Sequence, residues 1–256
     1  MGRAGRETVQ RVLGSIKKEH KVDFVIAQAE NMSDSGKAPT LNDINQMLDA
    51  GVDFFTGGNH SFSAKHASKI LDDSGLPIIR PANVMGQSGQ GYKIIEFNGI
   101  KVLIGSFLGQ TVGMQSMILS NPLHKADEIL AKESDNFDIS IFNFHGDYSS
   151  EKRVFGYYLD GRVNAVMGDH WHVPTADAMI LPAGTAHITD VGMCGSLDSS
   201  LGVKLDVIIK RWKNGVVSKN EMEERRPYQF NALLIDIDEK TGHSTRVQHI
   251  QRIIEK

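Results

Sequence analysis

Apolar residues change their spacing repeatedly along this chain, and each change marks an element. Val9, Val12, Leu13 and Ile16 recur at three- and four-residue intervals among Arg, Gln, Lys and Glu, so residues 6–20 predict an amphipathic helix. The run Asp23-Phe24-Val25-Ile26-Ala27-Gln28-Ala29 is almost continuously apolar and predicts a buried strand, with Glu30-Asn31 at its C-terminal end. A helix over 41–50 stops at Gly51, and a strand over 52–56 leads into Gly57-Gly58-Asn59-His60. A third helix, 64–74, is ended by Gly75 and followed by a short strand at 77–79 and the loop Arg80-Pro81-Ala82-Asn83. Two β-type runs, 92–97 and 100–107, flank Asn98-Gly99, a pair that readily takes the positive φ angles of a tight hairpin.

The second half continues with a helix over 123–132, a strand over 137–144 that ends at His145, and a helix over 149–159. The strand 163–167 runs into Gly168-Asp169-His170-Trp171-His172-Val173-Pro174. Short strands at 178–181 and 185–189, a Gly-rich loop over 192–202, a helix over 205–211 and strands over 229–238 and 245–254 complete the chain. Strands alternate with helices early and dominate late, which predicts an α/β sandwich of mixed β-sheets flanked by helices. With no internal repeat or low-complexity linker, one domain over 1–256 is expected.

Composition narrows the class. The chain is 40% apolar, enough for a full core, and its net charge of −3 excludes a strongly basic nucleic-acid surface. A lone cysteine, Cys194, allows no internal disulfide. No apolar run approaches the roughly 20 residues of a membrane span, and Met1-Gly2-Arg3-Ala4-Gly5-Arg6 lacks the apolar region of a signal peptide. A cytoplasmic protein without a membrane partner is the expectation.

Four short motifs fall at strand ends, the edge of an α/β sheet where loops converge on ligands. Glu30-Asn31 offers a carboxylate able to bridge cations and a neutral amide oxygen. Gly57-Gly58-Asn59-His60 offers close backbone approach, an oxygen ligand at Asn59, and in His60 a proton donor at the mouth of the crevice. His145 is the third, and His170-Trp171-His172 the fourth. In an extended segment alternate side chains point the same way, so His170 and His172 would aim at one point. Each motif alone reads more readily as a loop carboxylate, a turn or a hydrogen-bonded histidine. All four in order, each after an apolar run, point to a dinuclear metal centre whose hard oxygens and imidazoles suit iron, manganese or zinc.

That order resembles the signature of the calcineurin-like metallophosphoesterases. Glu30-Asn31, Arg80-Pro81-Ala82-Asn83, Ser150-Glu151-Lys152, Asp160-Gly161-Arg162, His172-Val173-Pro174-Thr175-Ala176-Asp177 and Ile188-Thr189-Asp190-Val191-Gly192-Met193 resemble the bacterial YmdB-type 2′,3′-cyclic-nucleotide 2′-phosphodiesterases across essentially the whole chain. The resemblance implies metal ligands at Glu30, Asn31, Asn59, His145, His170 and His172, with His60 as the general acid. It also implies two metal ions and a small nucleotide phosphodiester substrate, 2′,3′-cyclic or also 3′,5′-cyclic, with RNA ends a further substrate to consider. A homo-oligomer is implied as well. The sequence departs from the family in two ways. Trp171 stands where the family usually has Thr. Family members also begin with an apolar strand ending in Gly-Asp, whose Asp is a metal ligand, so a first strand is expected upstream of Met1.

Mechanistically, two cations would clamp the phosphate oxygens and supply the attacking hydroxide, while His60 protonates the departing ribose oxygen. The competing reading is a metal-depleted, catalytically weak nucleotide-binding regulator; a metal-dependent amidohydrolase fits less well, for want of a Lys or carboxylate after the paired histidines. Arg80 and Arg162 are candidates for phosphate binding or for pairing with surface carboxylates, and Cys194 reads as a packed thiol rather than a nucleophile.

Overall fold

Side-chain alternation along the central strands decides what each layer of the molecule faces. The computed structural model describes residues 1–112 and 117–255. Its elements in order are α1 (Gly2–His20), β1 (Ile26–Gln28), α2 (Leu41–Asp49), β2 (Phe54–Thr56), a single 3-10 turn (Asn59–Phe62) and α3 (Ala67–Asp72). There follow β3 (Tyr92–Phe97), β4 (Ile100–Leu108), α4 (Pro122–Lys132), β5 (Ile139–His145), α5 (Ser149–Tyr158) and β6 (Ala165–Asp169). The last are β7 (Met179–Ile180), β8 (Ala186–Ile188), β9 (Gly195–Ser196), α6 (Leu205–Asn214), β10 (Tyr228–Ile237) and β11 (Ser244–Ile254).

The largest sheet has the order β3-β4-β5-β6-β8-β7, with a parallel centre and antiparallel strands at both edges. Along β4 and β5, Leu103, Phe107, Phe142 and Phe144 point to one face, where Ala126 and Ile129 of α4 and Phe155 of α5 cover them. Their neighbours Val102, Ile104 and Ile141 point to the other face and pack on Phe54 and Ile79 beside β2. Behind that second layer, α1 and α2 supply Val12, Leu13, Ile16, Ile44 and Met47 to a third cluster that includes Phe230 and Leu234 of β10. The result is an α/β sandwich of mixed sheets between helices. The second layer is made of two pieces, the parallel pair β1-β2 and the antiparallel group β11-β10-β9.

Local chemistry accounts for the boundaries. The β3-β4 hairpin turns on Asn98 (φ 50°) and Gly99 (φ 83°), as Asn-Gly predicts. Thr40 and Asp43 form a reciprocal capping box that starts α2. β1 is shorter than the apolar run 23–29 because the Val25 amide donates to the Asp53 carboxylate instead of a ladder partner. The expected strand at 77–79 is a single parallel bridge between Ile78 and Phe55. The helix expected over 64–74 narrows to Ala67–Asp72, whereas the one expected from residue 6 already begins at Gly2.

Candidate metal centre

The parity of β5 sets the site. Ile139, Ile141, Asn143 and His145 share the face turned toward β1, so the strand ends with an imidazole between the two sheets. The register puts His145 beside Asp169, the last residue of β6. From the opposite layer, Glu30 follows β1 by two residues and is 2% exposed. Gly58 lets these groups meet: a Cβ there would lie 2.4 Å from Glu30 Oε2 and 2.7 Å from His145 Cε1.

His145 is the hub. Its Nε2 lies 2.9 Å from Glu30 Oε2 and 2.8 Å from Asn59 Oδ1, while Nδ1 lies 2.7 Å from Asp169 Oδ1. Asp169 also accepts from Gln28 Nε2 at 2.6 Å and Asn143 Nδ2 at 3.1 Å, which ties β1 to the large sheet. The second oxygen of Glu30 accepts the His60 amide at 2.7 Å and so fixes the 3-10 turn that carries His60. The His60 side chain itself is exposed, and among the described residues its ring makes no hydrogen bond.

The paired histidines adopt a geometry the alternation rule did not foresee. β6 ends at Asp169, and both His170 (φ 105°) and His172 (φ 64°) lie in the left-handed region, where side chains other than glycine are strained. His170 packs its ring 4.4 Å from that of His145 and directs Nε2 at Asp147 Oδ1, 2.8 Å away. His172 lines the same cavity, with Nδ1 3.2 Å from the Leu201 carbonyl. Trp171, between them in sequence, is held by other contacts: its Nε1–H donates to the Asp147 carbonyl and its ring face covers Lys152 Nζ at 3.9 Å. Lys152, fully buried, pairs with Asp190 at 2.8 Å, and Asp190 also accepts the Trp171 amide at 2.8 Å. A buried ion pair thus anchors the strained turn.

Glu30, His145 and His170 each present a ligand atom within 4.8 Å of the other two. Asn59 joins them through His145, while Asn31 lies beside the cluster and spends its amide N–H on the Gly36 carbonyl at 2.9 Å. Electrostatics follow from burial among charges. Burial alone would lower the His145 pKa, but Glu30 and Asp169 on either side reverse this and hold it up at about 10. Burial would raise Glu30 and Asp169, yet the His145 charge and their hydrogen bonds outweigh it and both lie below the ordinary carboxylate range. His172 is pushed down to about 4, first by burial and then by the nearby amino terminus.

A cavity of about 290 Å³ opens from this cluster. Glu30, Asn31, His145 and His172 form its polar end, and Leu13, Ile16, Val25 and Leu234 line its apolar depth. Arg80 and Arg162 take no part. The Arg80 guanidinium donates to the Pro81 and Ala82 carbonyls, and Arg162 binds Asp127 at 2.6 Å. The Cys194 thiol lies 3.6 Å from the Asn231 carbonyl, and burial raises its pKa.

A sequence profile of the YmdB-like protein family matches residues 1–250. The chain belongs to that family. It is 35% identical over 252 residues to the 2′,3′-cyclic-nucleotide 2′-phosphodiesterase of Bacillus subtilis (strain 168), covering 98% of this chain and 93% of that protein. A solved Mycoplasma pneumoniae structure described as a novel phosphatase superposes with a TM-score of 0.92 at 31% identity, covering 99% of this chain and 90% of that one. The fold extends to a Staphylococcus aureus protein assigned as a 5′-nucleotidase, with a TM-score of 0.60 at 14% identity over 97% of this chain and 48% of that one. This YmdB-like chain is a hydrolase of the metallophosphoesterase type with the corresponding α/β sandwich. Among the described residues no helix is long and apolar enough to cross a membrane.

Three contributors escaped the reading of motifs. Asp169 is visible only as the residue before the paired histidines, Gln28 only as a polar break in an apolar run, and Lys152 and Asp190 only as members of two separate motifs, with nothing to show that they pair. Polar residues at inward-facing strand positions were the available signal, since such groups need partners.

Proposed function

We propose that this chain is a metal-dependent phosphodiesterase acting on 2′,3′-cyclic nucleotides, with its metal centre built on Glu30, His145 and His170. The observation that carries the reading is the convergence of those three side chains at the sheet edge, with Asn59 beside them. The donor set fits a divalent cation in its details. Asp169 holds Nδ1 of His145, leaving Nε2 directed at Glu30 and Asn59, and a carboxylate behind a histidine is the usual support of a metal-binding imidazole. Asn31 and His172, on the same cavity wall, are the side chains placed to serve a second ion, and iron, manganese and zinc all suit oxygen with imidazole. When bound, the cations supply charge neutralisation at the phosphate oxygens and Lewis acidity toward an attacking water.

The residues of the chain then divide the work. Glu30 holds charge at the centre and, through the His60 amide, orients the turn on which His60 projects. His60, exposed on the turn that Glu30 holds, donates a proton to the departing ribose oxygen, so that an alkoxide need not leave unaided. Substrate identity comes from the Bacillus relative, whose name specifies the 2′,3′-cyclic ester. The test compares metal-loaded wild type and His60→Ala on 2′,3′-cyclic AMP, 3′,5′-cyclic AMP and a bis-p-nitrophenyl ester. His60→Ala should lower turnover of the 2′,3′-cyclic ester by roughly 10²- to 10⁴-fold with metal content unchanged. The activated aryl ester, whose leaving group needs little protonation, should suffer less. An unchanged rate on the cyclic nucleotide removes His60 from the role.

A further inference from the structure

Each imidazole at the candidate centre has one ring nitrogen held by an oxygen of the protein. His145 Nδ1 lies 2.7 Å from Asp169 Oδ1, His172 Nδ1 lies 3.2 Å from the Leu201 carbonyl, and His170 Nε2 lies 2.8 Å from Asp147 Oδ1. Among the described residues the Asp147 carboxylate is the only hydrogen-bond partner of the His170 ring. A carboxylate that accepts at Nε2 keeps the proton there and leaves Nδ1 with the free lone pair, the one able to bind a cation. Little else of polar character defines this ring, since His170 stands one residue beyond β6 with φ at 105° and stacks only on His145.

An exposed carboxylate is by itself a weak orienting group, because two mobile side chains lose rotamer freedom to hold one geometry. The Asp147 side chain is 47% exposed, yet its backbone is fixed from both directions. Behind it β5 ends at His145 and the chain passes close to Phe144 at Gly146, where a Cβ would lie 2.7 Å from Phe144 Cε1; ahead of it α5 begins at Ser149. The Asp147 carbonyl also accepts the Trp171 Nε1–H at 2.8 Å. That indole lies over the buried Lys152 ammonium, which pairs with Asp190, and Asp190 in turn accepts the Trp171 amide. The contacts close a circuit from His170 through Asp147 and the indole to a buried ion pair, and back to the residue next to His170. We infer that Asp147 is the positioning residue of His170, setting which nitrogen the imidazole offers to a cation, and that the Trp171 indole holds Asp147 in place for that task. The inference rests on His170 being a ligand of the proposed metal centre. Asp147 is not placed as a ligand itself: the group of mutually close ligand atoms comprises Glu30, His145 and His170, and of these Asp147 meets only His170.

The test titrates cobalt(II), whose visible absorption reports its donor set, into wild type, Asp147→Asn, Trp171→Phe and the double variant. Asp147→Asn keeps an acceptor oxygen but removes the charge, and should weaken cobalt binding by about 10- to 100-fold with the band pattern of the saturated protein unchanged. Trp171→Phe keeps a ring over Lys152 but removes the Nε1–H, and should weaken binding by about 3- to 10-fold, the equivalent of one ordinary hydrogen bond. The double variant should bind no more weakly than Asp147→Asn, because the indole acts through Asp147. Thermal midpoints of the metal-free single variants should stay within about 2 °C of wild type, which separates positioning from a loss of fold. Wild-type affinity in Asp147→Asn overturns the inference and leaves the metal centre standing. A changed band pattern in the saturated Asp147→Asn protein makes Asp147 a ligand and overturns the positioning role. A wild type that takes up no cobalt overturns the centre, and the inference with it.

Discussion

Single residues decide whether the centre can hold a cation, and Asp169 is the most informative of them. It touches no predicted ligand except His145, whose Nδ1 it fixes at 2.7 Å. Asp169→Asn keeps the shape and the contact but removes the charge, so metal titration should show affinity weakened by about 10- to 100-fold. Undiminished affinity would mean that His145 is not a ligand supported in this way. Asp177 offers a separate residue-level test, away from the cluster. Burial tends to raise its pKa, but hydrogen bonds from the Thr175 hydroxyl and from the Thr189 hydroxyl and amide outweigh burial and hold it at about 2. A carboxyl whose folded pKa is depressed contributes stability that is present above its unfolded value, about 3.9, and is lost as pH falls through the folded one. Thermal unfolding between pH 4 and 2 should therefore fall more steeply for wild type than for Asp177→Asn, and parallel curves would contradict the assignment. Much of this scale was legible in the sequence: Glu30, Asn59, His145 and His170 stand at the ends of apolar runs and meet in the structure. The partner of an imidazole's second nitrogen was not legible, because it is chosen by cross-strand register, which brings residues 145 and 169 together.

At the scale of elements, periodicity located helices and strands well and their ends less well. The Asn98-Gly99 hairpin and the helices over Pro122–Lys132 and Ser149–Tyr158 fall within a residue or two of their expected bounds, because each is bounded by a local signal. The turn after β6 differs. Alternation assumes an extended chain, whereas His170 and His172 both have positive φ, so they cannot project as neighbours on a strand face do. Lys152 of α5 holds that turn from below through Asp190 and the Trp171 ring, an arrangement no pattern in residues 168–174 reveals. Removing only the cation should be costly, since it strands a buried carboxylate. Lys152→Met should lower the stability measured by urea unfolding by about 3 to 5 kcal/mol. A double variant, Lys152→Met with Asp190→Leu, should recover part of that loss. A loss below about 1 kcal/mol for the single variant would show that the pair does not anchor the turn.

For the whole molecule, the sandwich follows from strands that present one apolar face to helices and the other to a second sheet, and its class was readable from the order of elements. The pairing of edges was not readable, because hydrophobic spacing reports which residues are buried but not which strand stands beside which. The cavity between β1 and β10, about 290 Å³ and lined largely by apolar side chains, is one product of that pairing. The same cavity is lined by Glu30 and His145, so the spacing of the two sheets also sets the access to the candidate centre. The measurement that bears most directly on the account is metal content together with turnover of 2′,3′-cyclic AMP, before and after chelation, for wild type and Glu30→Gln. The account predicts bound metal, turnover that disappears on chelation and returns with added metal, and loss of both metal and turnover in Glu30→Gln. Turnover that survives chelation, or a Glu30→Gln protein that keeps both its metal and its rate, would contradict a phosphodiesterase centre built on Glu30, His145 and His170.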